Sequence, residues 1–467
     1  MSVALPASSL PSTGASIAIL AGAAIVVALL VLLMRARPDA FPLLAVFALP
    51  FRIPISTDAR TVNLLVPLYL VVASGTLAHL LPRLLARHER GPSTDRWQRR
   101  LQWLLLASVA LYLLQSSYSD DHTKALENVA FFYLPFGLLF LLLRDVDWSR
   151  ELLLRCLAVA VVLAVVFAGV GFVEYARKSL FLNPKVVAAN QYDNYFRVNS
   201  VFFDPSIYGR FLALVMIAVT TAVLWGRRRE LLAGAVVLAW LLAGLITSFS
   251  QSSIVALLLG LAVLAAWRWG LRTALYAAGG LLALGLAILL LAPAGLHFGL
   301  KGSGGSTSNA TSGRASLVSG GLELFAKRPL EGYGSGSFET QYKRHAQASR
   351  ANAETATSAS HTIPVTVAAE QGVVGLAVYL ALLLSAFLVL FKGAGRSPPR
   401  IAVAACFAAL VLHTWTYADF LEDPFTWALL GIGLALARRP ESAESWGAGE
   451  EREAGGSREA GGEISTV

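Results

Sequence analysis

Apolar residues in this chain gather into blocks separated by short polar stretches. Most blocks approach the ~20 helical residues needed to cross about 30 Å of hydrocarbon. Taken in order they predict spans over 16–34, 39–51, 62–81, 101–117, 129–143, 152–173, 206–226, 231–249, 252–267, 273–293, 362–391, 400–417 and 424–437. The second and fifth are short, so the count is 12 or 13. The fold class that follows is an all-α polytopic membrane protein with one large extracytoplasmic loop containing short helices.

Composition sharpens this by exclusion. The chain is 56% hydrophobic and 14% charged, with a mean hydropathy of +0.62, which rules out a soluble globular reading. The net charge of +9 does not point to nucleic acid, because most Lys and Arg stand beside apolar blocks as topological anchors. Cys156 and Cys406 each lie inside an apolar block and offer neither metal-ligand spacing nor a disulfide framework. Residues 1–16 lack a positive n-region, so the first block is expected to stay as a helix.

Charge also sets the expected topology. Arg35 and Arg37, Arg83 to Arg100, Arg227 to Arg229, Arg268 with Arg272, Lys392 to Arg400 and Arg438 with Arg439 all fall on one alternating side, which is read as the cytoplasm. The opposite side receives 174–205, 293–360 and the acidic turn Asp419 to Asp423. The expected organisation is N-terminal transmembrane helices over 1–150, a membrane core over 151–440 carrying extracytoplasmic loops 174–205 and 293–360, and a disordered cytoplasmic tail over 441–467. Long loops tolerate cations, but topology does not explain why these two hold so many. An anionic ligand does.

The candidate chemistry lies on that side. His361 precedes Thr362, Ile363 and Pro364 at the start of an apolar helix, where the helix dipole disfavours imidazolium and leaves a neutral ring suited to a general base. A plain capping histidine is the competing reading. Arg314 follows a Gly- and Ser-rich lead and opens a short amphipathic helix ended by Pro329. Gly332, Gly334 and Gly336 then predict a tight turn or a close backbone approach. In the shorter loop, Asp204 and Pro205 read as N-cap and N1 of a helix. Arg197 gains nothing from a helix N-terminus, and Arg210 falls one turn inside a span, where an arginine is costly unless it functions or snorkels. Guanidinium forks match phosphate oxygens with paired hydrogen bonds, so a lipid-anchored diphosphate held without metal is the ligand these arginines suggest.

Three pieces of this side, RVNSVFFDPS at 197–206, the 314–338 segment with RPLEGYGSGSF at 328–338, and SHTIPVTVAAEQGVVG at 360–375, resemble the O-antigen ligase and O-antigen polymerase family of bacterial membrane glycosyltransferases. The resemblance implies a multi-pass enzyme of the bacterial inner membrane, with a cytoplasmic C-terminus and an extracytoplasmic active site. It implies transfer or polymerisation of glycan units from a polyprenyl-diphosphate-linked oligosaccharide donor to a glycan or lipid acceptor, in O-antigen, capsule or exopolysaccharide biosynthesis. His361 then aligns with the family's catalytic histidine and Arg314 with its loop arginine, and no cofactor, metal or nucleic acid is called for. One departure stands out: family members commonly carry a Ser-Arg pair after the span that ends near Ser248, and here Gln251 occupies the arginine's place. Arg197 or Arg210 supplies that diphosphate-binding cation, or the donor site differs, or activity is lost. The alternative class is a transporter or flippase of anionic lipid-linked sugars, motivated by Arg210 at membrane depth.

Overall fold

In the computed structural model the chain is described over residues 13–56, 61–85, 95–181, 196–226, 231–273, 275–276, 279, 314–348, 360 and 362–438. The apolar blocks form helices: α1 (Thr13–Ala36), α2 (Ala40–Ala48), α3 (Val66–Leu85), α4 (Arg96–Ser116), α5 (His122–Leu143), α6 (Arg150–Arg177), α7 (Pro205–Trp225), α8 (Leu231–Thr247) and α9 (Gln251–Trp269). Then follow α10 (Arg314–Lys327), α11 (Phe338–Ala348), α12 (Ile363–Phe391), α13 (Pro398–Thr416) and α14 (Pro424–Arg438). A two-stranded antiparallel hairpin, β1 (Ile53–Ser56) with β2 (Thr61–Leu64), is the one paired strand element among the described residues. The protein is therefore an all-α, multi-pass membrane protein with a minor hairpin.

Among the described residues seven helices are long and apolar enough to cross a membrane: α3, α5, α6, α7, α9, α12 and α13. α8, α14 and residues 20–36 of α1 are apolar but shorter. At nine residues α2 is too short to cross, whereas the sequence suggested a short span there. The predicted span 273–293 and the 441–467 tail lie outside the described residues, apart from Thr273, residues 275–276 and Gly279.

Two apolar cores hold the bundle. One joins α1 to α5 with α12 and α14 through Phe41, Phe136 and Trp427; the other joins α6 to α9 with α13 through Phe167, Phe211 and Leu245. α7 is the central helix of the second core, since 72% of its apolar window is buried against 33% for α6 and for α9. A helix enclosed on all sides cannot let an arginine snorkel to lipid. Leu232, Val162 and Val166 are exposed, as is expected of apolar residues on α6 and α8 that face lipid.

The predicted continuous span 362–391 is interrupted. Gly372 has φ +65° and ψ −164°, which breaks the helical backbone of α12. The 329–334 segment is laced into the gap: Tyr333 N donates to Ala369 O at 3.2 Å, Gly334 N to Glu370 O at 2.8 Å, and Val373 N to Pro329 O at 2.7 Å. Backbone groups freed by the break thus find partners inside protein, a requirement at membrane depth. Both sides of the contact need glycine, because a Cβ on Gly332 would strike the Glu370 carbonyl and one on Gly372 the Leu330 carbonyl. The glycine-rich run is thus both a turn and a close backbone approach.

Candidate functional site

One end of the bundle gathers the polar residues. It holds the end of α4, the starts of α5, α7, α9 and α12, and the turn 417–423 between α13 and α14.

The glycine turn is clamped there. Glu370, 6% exposed on α12, accepts from Gly336 N at 2.9 Å and from Phe338 N at 3.0 Å, so one carboxylate caps the first turn of α11. From the α4 side Tyr118 Oη donates to Glu331 O at 2.7 Å and Ser119 Oγ to Ser335 O at 2.7 Å. Burial raises the Tyr118 hydroxyl's pKa above its ordinary value. α10 packs Leu317 and Leu324 against Phe338, Tyr342 and Ala369, seating it on α11 and α12.

Arg314 is the first residue of α10, and its side chain lies outside the described residues, as does His361. The residues flanking position 361 are ordered by hydrogen bonds: Ser360 N donates to Thr366 Oγ1 at 3.0 Å, Ser360 Oγ to Thr362 O at 2.7 Å, and Thr362 N to Ser360 Oγ at 3.1 Å. Thr362 is the N-cap residue of α12.

Arg197 stands in a segment fixed by Glu174. That carboxylate, buried at the end of α6, accepts from Ser200 N at 2.8 Å, Asn199 N at 3.3 Å and Phe181 N at 3.0 Å. Val198 N donates to Thr247 O at 3.2 Å and Arg197 Nε to Ser248 O at 3.4 Å. Ser250 then caps α9, and Gln251 follows as its first, exposed residue. The guanidinium of Arg197 therefore lies against the turn in which Gln251 takes the expected arginine's place.

Arg210 lies elsewhere. It is 2% exposed, and its Nη2 stands 2.5 Å from Asp423 Oδ2. The contact is ionic without hydrogen-bond geometry, and Nε and Nη1 also lack hydrogen-bond partners. Burial outweighs the attraction of Arg210 and Arg52 and raises the pKa of Asp423 above the ordinary carboxylate value. The snorkelling alternative for Arg210 is thus corrected: its charge points inward to a carboxylate. Asp204 caps α7 as the sequence predicts, accepting from Ser206 N at 2.6 Å.

The residues that sequence reasoning missed surround a partly open cavity between α4, α5, α12 and the 417–423 turn, bordered by Ile363. Asn128, Glu422, Tyr112, Lys124 and Asp419 line it. Burial and then Asp419 raise the Glu422 pKa to about 8. The signal was present, since an acidic turn between two apolar spans is a functional pointer as well as a topological one. Among the described residues no group of three or more His, Cys, Asp or Glu converges as a metal site.

Fold and site end together define a multi-pass membrane protein whose polar machinery sits at one end of the bundle. Residues 236–380 match a family model described as O-antigen ligase, and this match supports the O-antigen ligase and polymerase family for the chain. The matched stretch includes positions 251, 314 and 361, whereas 197 and 210 precede it. No match was found among curated proteins. The family supports an O-antigen ligase or polymerase type of function in polysaccharide biosynthesis, on lipid-linked glycan substrates.

Proposed function

We propose that the protein is a metal-independent glycosyltransferase of the bacterial inner membrane, which transfers or polymerises glycan units from a polyprenyl-diphosphate-linked donor to an acceptor hydroxyl on the extracytoplasmic face. His361 takes the acceptor proton while the acceptor oxygen bonds to the anomeric carbon. The bond to the diphosphate oxygen breaks, and Arg314 with Arg197 stabilises the leaving group's charge. Gln251 donates a hydrogen bond to the same diphosphate. The observation that carries this reading is Arg197 Nε on Ser248 O, which brings a cation to the turn where Gln251 carries no charge.

The transporter alternative drew on Arg210 at membrane depth, and the pairing with Asp423 accounts for that charge within the fold. Arg210 accordingly supports the site through the turn 417–423 and bears on the diphosphate indirectly. Polymerase and ligase share this chemistry and differ in acceptor. The test is incubation of purified protein with polyprenyl-diphosphate glycan alone, followed by separation of products by length. A ladder is the polymerase outcome, and single transfer to an added acceptor is the ligase outcome. His361→Ala should lower either by about 100-fold or more. Full turnover in that variant would overturn the proposal.

A further inference from the structure

The cavity beside Ile363 has a lining suited to a particular chemistry. Its hydrogen-bonding groups are mixed: carboxylates that accept, an ammonium that donates, and the Asn128 amide. Polyhydroxyl ligands need that mixture, since each hydroxyl both donates and accepts. Aromatic surface is present too, with the Tyr112 and Tyr133 rings edge to face at 4.5 Å between centroids.

One group inside it is unfinished. Asn128 is 3% exposed, and its Nδ2 donates to Tyr112 Oη at 2.8 Å and to Glu422 Oε1 at 2.8 Å. Its Oδ1 has no partner. Asn128 lines the cavity, and a buried amide oxygen left without a partner calls for a donor, which a ligand hydroxyl or amine supplies once the side chain shifts toward it. The charges bias the choice further. Glu339, Glu370, Asp419 and Glu422 line the space against Lys124, and Glu370 is already consumed by the glycine turn. A ligand carboxylate or phosphate entering here would meet Asp419 and Glu339, joined by the Glu422 charge once pH rises above about 8, in a poorly solvated place.

We propose that this cavity binds the acceptor sugar, through Asn128 and Glu422, and that it selects a hydroxyl-bearing sugar without a carboxylate or phosphate. The assignment of the occupant as acceptor rests on the glycosyl-transfer reading above; the preference for a non-anionic sugar does not. Ile363 borders the cavity two positions after His361, so a sugar hydroxyl held there stands next to the segment that carries the proposed base.

The test uses full-length protein in detergent and two soluble probes: an oligosaccharide released from the host's surface polysaccharide, and the same oligosaccharide with its primary alcohols oxidised to carboxylates. Binding is measured by calorimetry, without turnover, and variant folding is checked by gel filtration and thermal melting. The expected result is at least tenfold tighter binding of the unoxidised probe, loss of at least tenfold of that affinity in Asn128→Ala, and a fivefold or greater narrowing of discrimination in Glu422→Gln at about pH 9, where the wild-type carboxyl has lost its proton. Equal affinity of wild-type protein for both probes, or unchanged affinities in both variants, would overturn the proposal even where glycan transfer is intact. Selective binding that follows Asn128 and Glu422 while no transfer occurs would uphold the sugar site and refute the transferase reading instead.

Discussion

Glu422 and Asp423 are neighbours in sequence, yet their carboxylates serve opposite halves of the bundle. Glu422 accepts from Asn128 of α5 at 2.8 Å, and Asp423 faces Arg210 of α7 at 2.5 Å. One short turn therefore joins the cavity beside α12 to the buried cation of the second core.

The Arg210 pair should behave as a buried ion pair does. Arg210→Ala or Asp423→Ala alone leaves an uncompensated buried charge and is expected to cost about 3–5 kcal/mol. The double change Arg210→Met with Asp423→Leu should recover most of that loss. Thermal melting of the three variants measures this, and full additivity of the single costs would count against the pair.

Arg197 is expected to matter through charge at a place more than through its own position. Arg197→Ala should lower turnover by at least about tenfold, the scale of one lost charge-assisted contact in a transition state. Adding Gln251→Arg should restore most of it, because the two positions flank one turn. If the double variant stays as slow as the single, the substitution of one cation for the other is wrong.

Glu422 makes stability depend on pH in a defined direction. Its folded pKa of about 8 exceeds the ordinary 4.5, so the native state holds a proton that the unfolded chain releases. The stabilising contribution is complete below pH 4.5 and is lost as pH rises through about 8. Glu422→Gln removes this titration. Its melting temperature relative to the wild type should therefore rise between pH 5 and pH 8.5, and parallel profiles would refute the assignment.

The clamp on the glycine turn should be sensitive to the acceptor atoms of one side chain. Glu370→Ala strands the Gly336 and Phe338 amides, at about 1–3 kcal/mol each, while Glu370→Gln keeps one acceptor and should cost less. Melting curves separate the two.

Chelation offers a further check on the chemistry. Arginine stabilisation of the diphosphate predicts turnover unchanged in excess EDTA, and loss of product formation would require a metal in its place.

The helices were legible because burial in lipid writes itself locally, as runs of apolar residues. Asp204 as a cap and the 332–336 glycines as a close approach were legible for the same reason, since each rests on neighbours in sequence. What the glycines approach was not. Glu370 meets Gly336 across 34 positions, and Asn128 meets Glu422 across 294, distances over which a single sequence carries no pairing signal. Arg210 was visible as an anomaly, but its partner lies on a turn that topology alone had marked. The helix α12 begins at Ile363 with Thr362 as its N-cap, while His361 itself lies outside the described residues.

The break in α12 has a consequence for how the chain is made. Gly372 lies about 13 Å along α12 from Ile363, at ~1.5 Å per residue, and the groups freed there are answered by residues 329–334. Those residues are synthesised some forty positions before the break they complete. When α12 leaves the ribosome, its missing partner has already been translated, so the order of synthesis favours docking of that segment before a broken helix must settle in lipid.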